Sequence, residues 1–214
     1  MERARRSIRR RVVFALAVLW LTPGVAMAVE QPEYEVVASH GDFEVRRYAA
    51  MILAETRVES DFERAGNEAF RRLFAYISGD NTVQSKIAMT APVVQEPSAE
   101  KIDMTAPVVQ ARGQSGWSVA FVVPAQYSWE TAPQPTDPRV KLRLLPARTV
   151  AAVRFSGTWD EERFTTKEKE LRALLADRGL KTIGEAMYAR YNPPFTPWFL
   201  RRNEVMIAVE PVVN

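Results

Sequence analysis

Methionine and histidine are the side chains that first suggest chemistry in this sequence. A ten-residue phrase occurs twice, as KIAMTAPVVQ at 86–95 and as KIDMTAPVVQ at 101–110, and it places Met89 and Met104 at equivalent positions. A thioether fills irregular apolar space, and it can also ligate iron. The two methionines are therefore either a packing device or lining and ligating groups of a ligand site.

The two copies of the phrase predict a hairpin. Alternate residues of each copy are apolar, as on one face of an extended chain, and the short link EPSAE joins the copies. Pro92 and Pro107 lack the N–H that a central strand donates. We therefore expect the hairpin to lie at a sheet edge or to be locally broken.

Catalytic motifs are scarce. The chain has no cysteine and one histidine, His40, which falls at a predicted turn. Thiol catalysis, Ser-His-Asp catalysis and His/Cys zinc sites therefore lack their residues. Neither glycine-rich phosphate-binding pattern occurs. Asp and Glu are numerous, but no spacing isolates a catalytic pair. The sequence predicts a binding protein rather than an enzyme, with no metal site of its own.

The N-terminus has the layout of a secretory signal. Six arginines precede the apolar run VVFALAVLWL, and Ala26-Met27-Ala28 forms a small-x-small site. Residues 1–28 hold six of the 29 basic and one of the 26 acidic residues, so the remainder carries a net charge of −2. We expect a signal peptide over 1–28, a single domain over 29–214 and an exported, periplasmic product. The basic pI belongs to the signal, which argues against nucleic-acid binding, and no membrane span is expected after cleavage.

Hydrophobic periodicity predicts two similar halves. Apolar runs flank a Gly-Asp turn at 34–48, a third strand follows at 51–59, and a helix over 62–78 begins after Asp61. After a proline-rich crossover, 140–146 and 149–157 read as a strand pair and 161–178 as a second helix. Further strands are predicted at 116–124, 187–191 and 204–210. The order predicts an α+β fold of two pseudo-symmetric halves, each with antiparallel strands and one helix, in a bent, barrel-like sheet.

Several segments together resemble the SOUL haem-binding protein family. They are YEVV with GDFEVRRY, the KIAMTAPV phrase, SVAFVVP, PQPTDPRV, RFSGTW and YNPPFTPWFLRRNEV, and they extend over residues 33–210. The duplicated MTAPV phrase is typical of the family's microbial members. The resemblance implies the same two-halved α+β fold and a tetrapyrrole such as haem as a non-covalent ligand.

The resemblance also implies where the ligand would lie. Its apolar groove would use the first helix and the C-terminal strands, and Arg201 and Arg202 would pair with two propionates. A structural bridge from these arginines to Glu204 is the alternative for them. At the position where some members carry a proposed histidine iron ligand, this chain has Arg47, so no axial ligand is selected. The other groove residues implied are Phe70, Leu73, Phe74, Ile77, Tyr188 and Tyr191.

Two other functions stay open from the sequence. Similar two-halved folds serve as effector-binding modules for small molecules, and acidic residues facing a cationic ligand would favour that function. The other function is that of a cell-envelope interaction protein, which would bind a partner's strand at the proline-flanked edge of the sheet. The residues do not decide the oligomeric state.

Overall fold

The computed structural model describes residues 29–83 and 99–211. In this part of the chain, two α-helices pack on a nine-stranded antiparallel sheet, and a separate two-stranded ladder joins two loops. The elements in chain order are β1 (Tyr34–His40), β2 (Phe43–Tyr48), β3 (Met51–Val58), α1 (Phe62–Ser78), β4 (Asn81–Thr82), β5 (Val108–Arg112), β6 (Trp117–Val122), β7 (Gln134–Pro135), β8 (Val140–Leu145), β9 (Arg148–Phe155), α2 (Glu161–Asp177), β10 (Thr182–Arg190) and β11 (Asn203–Val209).

Both helices begin where the sequence predicts. The carboxylate of Asp61 accepts the backbone N–H of Arg64 at 2.9 Å, and that of Asp160 accepts the backbone N–H of Arg163 at 2.8 Å. Each aspartate satisfies an amide that has no partner inside its helix, which is why both helices start one residue later. α1 ends at Gly79 and α2 is followed by Gly179.

The strand order confirms the two-halved α+β fold. It runs β1-β2-β9-β11-β10-β5-β6-β3-β8, so β10 and β5 meet at the centre and each half continues outward from them. Each half opens with strands that lie in the sheet of the other half: the β1–β2 hairpin pairs with β9 through β2, and β8 pairs with β3. The described sheet curls but does not close into a barrel, because β1 and β8 form its two ends.

The predicted pairing of 140–146 with 149–157 is wrong. β8 pairs only with β3 among the described strands, while β9 lies between β2 and β11. The two-residue link at 146–147 therefore carries the chain from one half of the sheet to the other. The link at 49–50 does the same between β2 and β3.

The hairpin prediction for the doubled phrase is tested only in its second copy. The first copy, with Met89 and Pro92, lies outside the described residues. In the second copy, Thr105 makes an isolated bridge to Glu30, and regular strand begins only at Val108, after Pro107. β5 then lies between β10 and β6 in the middle of the sheet, so this arm is not at an edge.

The two faces of the sheet differ. The helix face, covered by α1 and α2, holds the main core, in which Phe62, Trp117 and Phe164 contact Tyr188 ring to ring. The opposite face, here called the open face, carries two smaller clusters around Met206 and Leu53. Among residues 29–83 and 99–211, no helix is long and apolar enough to cross a bilayer.

Candidate functional site

A largely apolar groove crosses the open face. Its floor is formed by alternate residues of the central strands, which the two-residue repeat of a strand directs away from the helices. The groove is an open depression of 680 Å³ around a small cavity of 70 Å³. Its apolar lining includes Met51, Leu53, Val109, Val122, Met187 and Met206.

A larger cleft adjoins the groove. The two depressions share Gln31, Met51 and Val122, and the cleft extends toward Tyr127 and Trp129 as a depression of 1330 Å³ around a cavity of 610 Å³. Pockets that hold small molecules measure about 300–1,000 Å³. A large flat ligand would therefore lie across the groove's mouth and extend toward the cleft, since the 70 Å³ cavity cannot enclose it.

A buried ion-pair network lies beside the groove. The Glu204 side chain is fully buried and accepts Nη1 and Nη2 of Arg46 at 2.6 and 3.0 Å. Arg202 donates to the same carboxylate through Nη2 at 2.7 Å and Nε at 3.0 Å. Burial alone would raise the pKa of Glu204, but the hydrogen bonds and charges of Arg46 and Arg202 outweigh it and hold that pKa below its ordinary value. Glu204 is thus ionised, and both of its carboxylate oxygens accept hydrogen bonds from arginine.

Two tyrosines at the groove belong to this network. The Tyr191 hydroxyl donates to Glu204 at 2.8 Å, and the Tyr48 hydroxyl accepts Nη1 of Arg46 at 3.3 Å. Burial raises the pKa of both phenols, and for Tyr191 the negative charge of Glu204 adds to the effect. Both phenols therefore stay protonated, which opposes their use as phenolate ligands.

The charged residues of the groove leave one positive charge in excess. Glu55 is bound by Arg143 through Nε and Nη2, both at 2.7 Å. Arg148 has no such partner: its Nε is buried without a hydrogen-bond acceptor in the described part of the chain, and burial lowers its pKa. The lining thus pairs one carboxylate with one guanidinium and holds a second guanidinium that lacks an anion.

The structure places the predicted helix residues on the other face of the sheet. Leu73 and Ile77 are buried in the helix-face core, and Phe70 stacks on Phe74, which is 47% exposed. Met104 packs against the same core, whereas Met89 lies outside the described residues. Their proposed role in binding stays a prediction, and the described part of the chain does not bring them to the groove.

The predicted C-terminal residues separate as well. Tyr188 points into the helix-face core, where its hydroxyl donates to Glu168 at 2.6 Å, whereas Tyr191 lines the groove. Arg202 binds Glu204, as the structural alternative predicts. Arg201 instead donates to the carbonyls of Thr196 and Pro194, each at 2.8 Å. Each arginine thus has a different set of partners.

The methionines of the groove and Arg148 are not among the residues that the sequence predicts for the site. Met187 and Met206 lie on strands whose alternation was visible, and Tyr188 and Tyr191 are three positions apart, so an extended chain directs them to opposite faces. That spacing could have separated the two faces. Across 29–83 and 99–211, no cluster of three or more His, Cys, Asp or Glu could hold a metal ion.

Comparison with known proteins agrees with this architecture. The model of the SOUL heme-binding protein family matches residues 29–208. The chain is 29% identical to Heme-binding protein 1 of Xenopus tropicalis over 166 residues, covering 76% of this chain and 81% of that protein. It is 27% identical to human Heme-binding protein 2 over 195 residues, covering 84% and 89%.

A solved structure shares the fold at low sequence identity. The crystal structure of the EcmrR C-terminal domain superposes with a TM-score of 0.54 at 12% identity, covering 84% of this chain and 99% of that one. At this identity the likeness shows the fold alone. Because the family model covers most of the sequence and the sheet has the two-halved order, this chain belongs to the SOUL heme-binding protein family.

Proposed function

We propose that this protein is an exported tetrapyrrole-binding protein that holds haem, or a related porphyrin, non-covalently and reversibly across the groove of the open face. The observation that carries the proposal is the apolar groove with its unpaired Arg148. The relatives named as heme-binding proteins support the class of ligand.

The groove residues fit such a ligand chemically. A porphyrin is a flat apolar ring with carboxylates at one edge, and the groove offers an apolar floor with a guanidinium on its lining. Burying about 400 Å² of apolar surface at roughly 25 cal/mol/Å² gives about 10 kcal/mol before the costs of association. Moderate, reversible binding therefore needs no bond to iron.

Methionine is the favoured side chain if iron is ligated. When bound, haem supplies an iron that accepts thioether, imidazole, thiolate or phenolate ligands. Met51, Met187 and Met206 line the groove, while the phenols of Tyr48 and Tyr191 have raised pKa values. The chain's own residues would hold the ring, exclude water from its faces and bind its carboxylates.

The groove's charges favour an anionic ligand over the cationic ligand of an effector-binding module. Glu55 and Glu204 are both bound by arginine, so neither offers a free carboxylate to a cation. Arg148 offers the opposite charge. This difference is why we propose a dicarboxylate porphyrin and a carrier or buffer role.

Export to the periplasm is part of the proposal. Its support is the basic and apolar N-terminal segment, which has the layout of a secretory signal. Membership of a family named for heme binding supports a binding role as part of the proposal.

The test is a titration of residues 29–214 with haemin, followed by absorbance in the Soret region. We expect a saturable one-to-one shift that Arg148→Gln weakens about tenfold and that Arg71→Gln, on the exposed side of α1, leaves unchanged. An esterified porphyrin should bind wild type and Arg148→Gln equally. Without a saturable shift the proposal is wrong.

A second variant separates the two faces of the sheet. Phe74→Ala removes the half-exposed ring of the stacked pair on α1. If Phe74→Ala weakens haemin binding and Arg148→Gln does not, the ligand lies on the helix side and the groove is not the site.

A further inference from the structure

The turn between β10 and β11 exposes an unusual amount of aromatic surface. Within six residues, Phe195 is 85% exposed, Leu200 65%, and Trp198 and Phe199 each 58%. We call residues 193–200 the aromatic turn. Single exposed apolar residues are ordinary, but four large ones in one short segment mark a contact surface.

The aromatic turn is a built structure rather than a loose loop. The guanidinium of Arg201 reaches back under it and donates to the carbonyls of Thr196 and Pro194, each at 2.8 Å. The same guanidinium lies 4.2 Å from the centre of the Trp159 ring. The backbone N–H of Gly157 donates to the carbonyl of Trp198 at 3.0 Å. The exposed rings are therefore presented on a fixed support.

Part of the backbone of the aromatic turn satisfies its own hydrogen bonds. Pro193, Pro194 and Pro197 have no N–H at all. Thr196 donates its N–H to the carbonyl of Pro193 at 3.0 Å, and Leu200 donates to that of Pro197 at 2.9 Å. A polar group that loses water without a hydrogen bond costs several kcal/mol in hydrocarbon. The prolines and these two bonds therefore lower the number of backbone donors that would lack a partner in lipid.

One arginine at the base of the aromatic turn is available to an anion. Of Arg201 and Arg202, which follow the turn, Arg202 is bound by Glu204, which leaves the charge of Arg201. Within the described chain, Arg201 makes no ion pair with a carboxylate, and Asp160, which lines a pocket beside it, is held by Arg163. Anionic groups would therefore meet an available cation at the base of the turn.

We propose that the aromatic turn docks this protein on the surface of a lipid bilayer that contains anionic headgroups. Trp and Phe are the side chains enriched at the membrane–water interface, where one side of the protein is apolar and the other wet. The rings project from a tight turn rather than from a flat patch, so a fluid lipid phase can surround them. Arg201 at the base contacts the headgroups. This inference does not depend on the proposed ligand.

The test is flotation of residues 29–214 with vesicles of phosphatidylcholine alone or with 30% phosphatidylglycerol. This part of the chain contains every described element, and it omits the apolar N-terminal run that could bind lipid by itself. The test variant is Trp198→Ser with Phe199→Ser. The matched control is Leu144→Ser with Ile183→Ser, which removes two apolar side chains of similar exposure from other strands.

We expect wild type and control to float with the anionic vesicles, and the test variant to bind at least tenfold more weakly. The turn's tryptophan should also shift its fluorescence to the blue in the wild type. Equal losses of binding in the test and control variants would overturn the proposal. No flotation of the wild type with either vesicle would also overturn it, and a protein would then be the expected partner of the turn. Equal flotation with neutral vesicles would overturn the role of the anionic headgroups.

Discussion

Glu204→Gln is the substitution whose effect on stability is most directly determined by the structure. It removes the negative charge that two guanidiniums share, and Arg46, only 3% exposed, then stays buried beside a neutral amide. Removing one partner of a buried ion pair typically costs about 3–5 kcal/mol. We expect the lower end, because Arg46 keeps its 2.6 Å contact with Glu44 and Arg202 is partly open to water.

A loss of about 3 kcal/mol lowers the melting temperature by about 6–12 °C in a domain of this size. Urea denaturation of residues 29–214 measures the free energy of unfolding, and Glu35→Gln is the matched control. Its partner is Arg47, and both side chains are more than half exposed, so we expect a loss below about 1 kcal/mol. If Glu204→Gln lost no more stability than Glu35→Gln, the buried network would not hold the two halves of the sheet together.

The same network gives the stability a pH dependence of known sign. The pKa of Glu204 is lowered in the folded protein, so the unfolded chain takes up this proton first as the pH falls. The stability from this group is complete above its ordinary pKa, near 4.3, and is lost as the pH falls through the folded value. Glu204→Gln should therefore show a flatter acid limb when stability is plotted against pH. An unchanged acid limb would contradict the lowered pKa.

Three further substitutions test the fold. Gly116→Ala should lower the free energy of unfolding, measured by urea denaturation, by at least about 2 kcal/mol more than Gly41→Ala does. Both glycines have positive φ, but only at Gly116 would the new Cβ lie 2.2 Å from a backbone oxygen, that of Val58. Equal losses would contradict this packing. Asp160→Ala should lose about 1 kcal/mol and Asp160→Asn much less, since asparagine also caps a helix; identical losses would show that the cap is not the cause. Tyr76→Phe should lower the free energy of unfolding by about 1 kcal/mol, because the carbonyl of Pro133 loses its 2.9 Å hydrogen bond from the Tyr76 hydroxyl. An unchanged melting temperature would indicate that a water molecule replaces the hydroxyl as donor.

The sequence predicts local structure better than strand pairing here. Asp61 and Asp160 mark both helix starts because capping depends on the residue and the amide three positions later. The link at 146–147 looks like a hairpin connection, yet its two strands pair with distant partners. Two short strands with alternating residues fit either arrangement, and only packing of the whole sheet decides between them.

The groove was beyond sequence reasoning for a related reason. Alternation shows which residues share a face, as for Tyr188 against Tyr191, but not which face the helices cover. In the sequence, Met51, Met187 and Met206 look like ordinary strand residues. They line one groove only because the folded sheet brings together three strands from both halves. The unpaired state of Arg148 likewise depends on residues far along the chain.

The exchange of β2 and β8 between the halves has a consequence for how this protein folds. Neither half can complete its own sheet, because β2 needs β9 and β8 needs β3, and the paired residues are 84 to 110 positions apart. A nascent chain therefore cannot finish one half while the other is still being made. Pairings of such long sequence separation slow folding, since closing the intervening chain must precede the contacts that reward it. The molecule should therefore fold and unfold as one cooperative unit, and folding should begin late and proceed slowly.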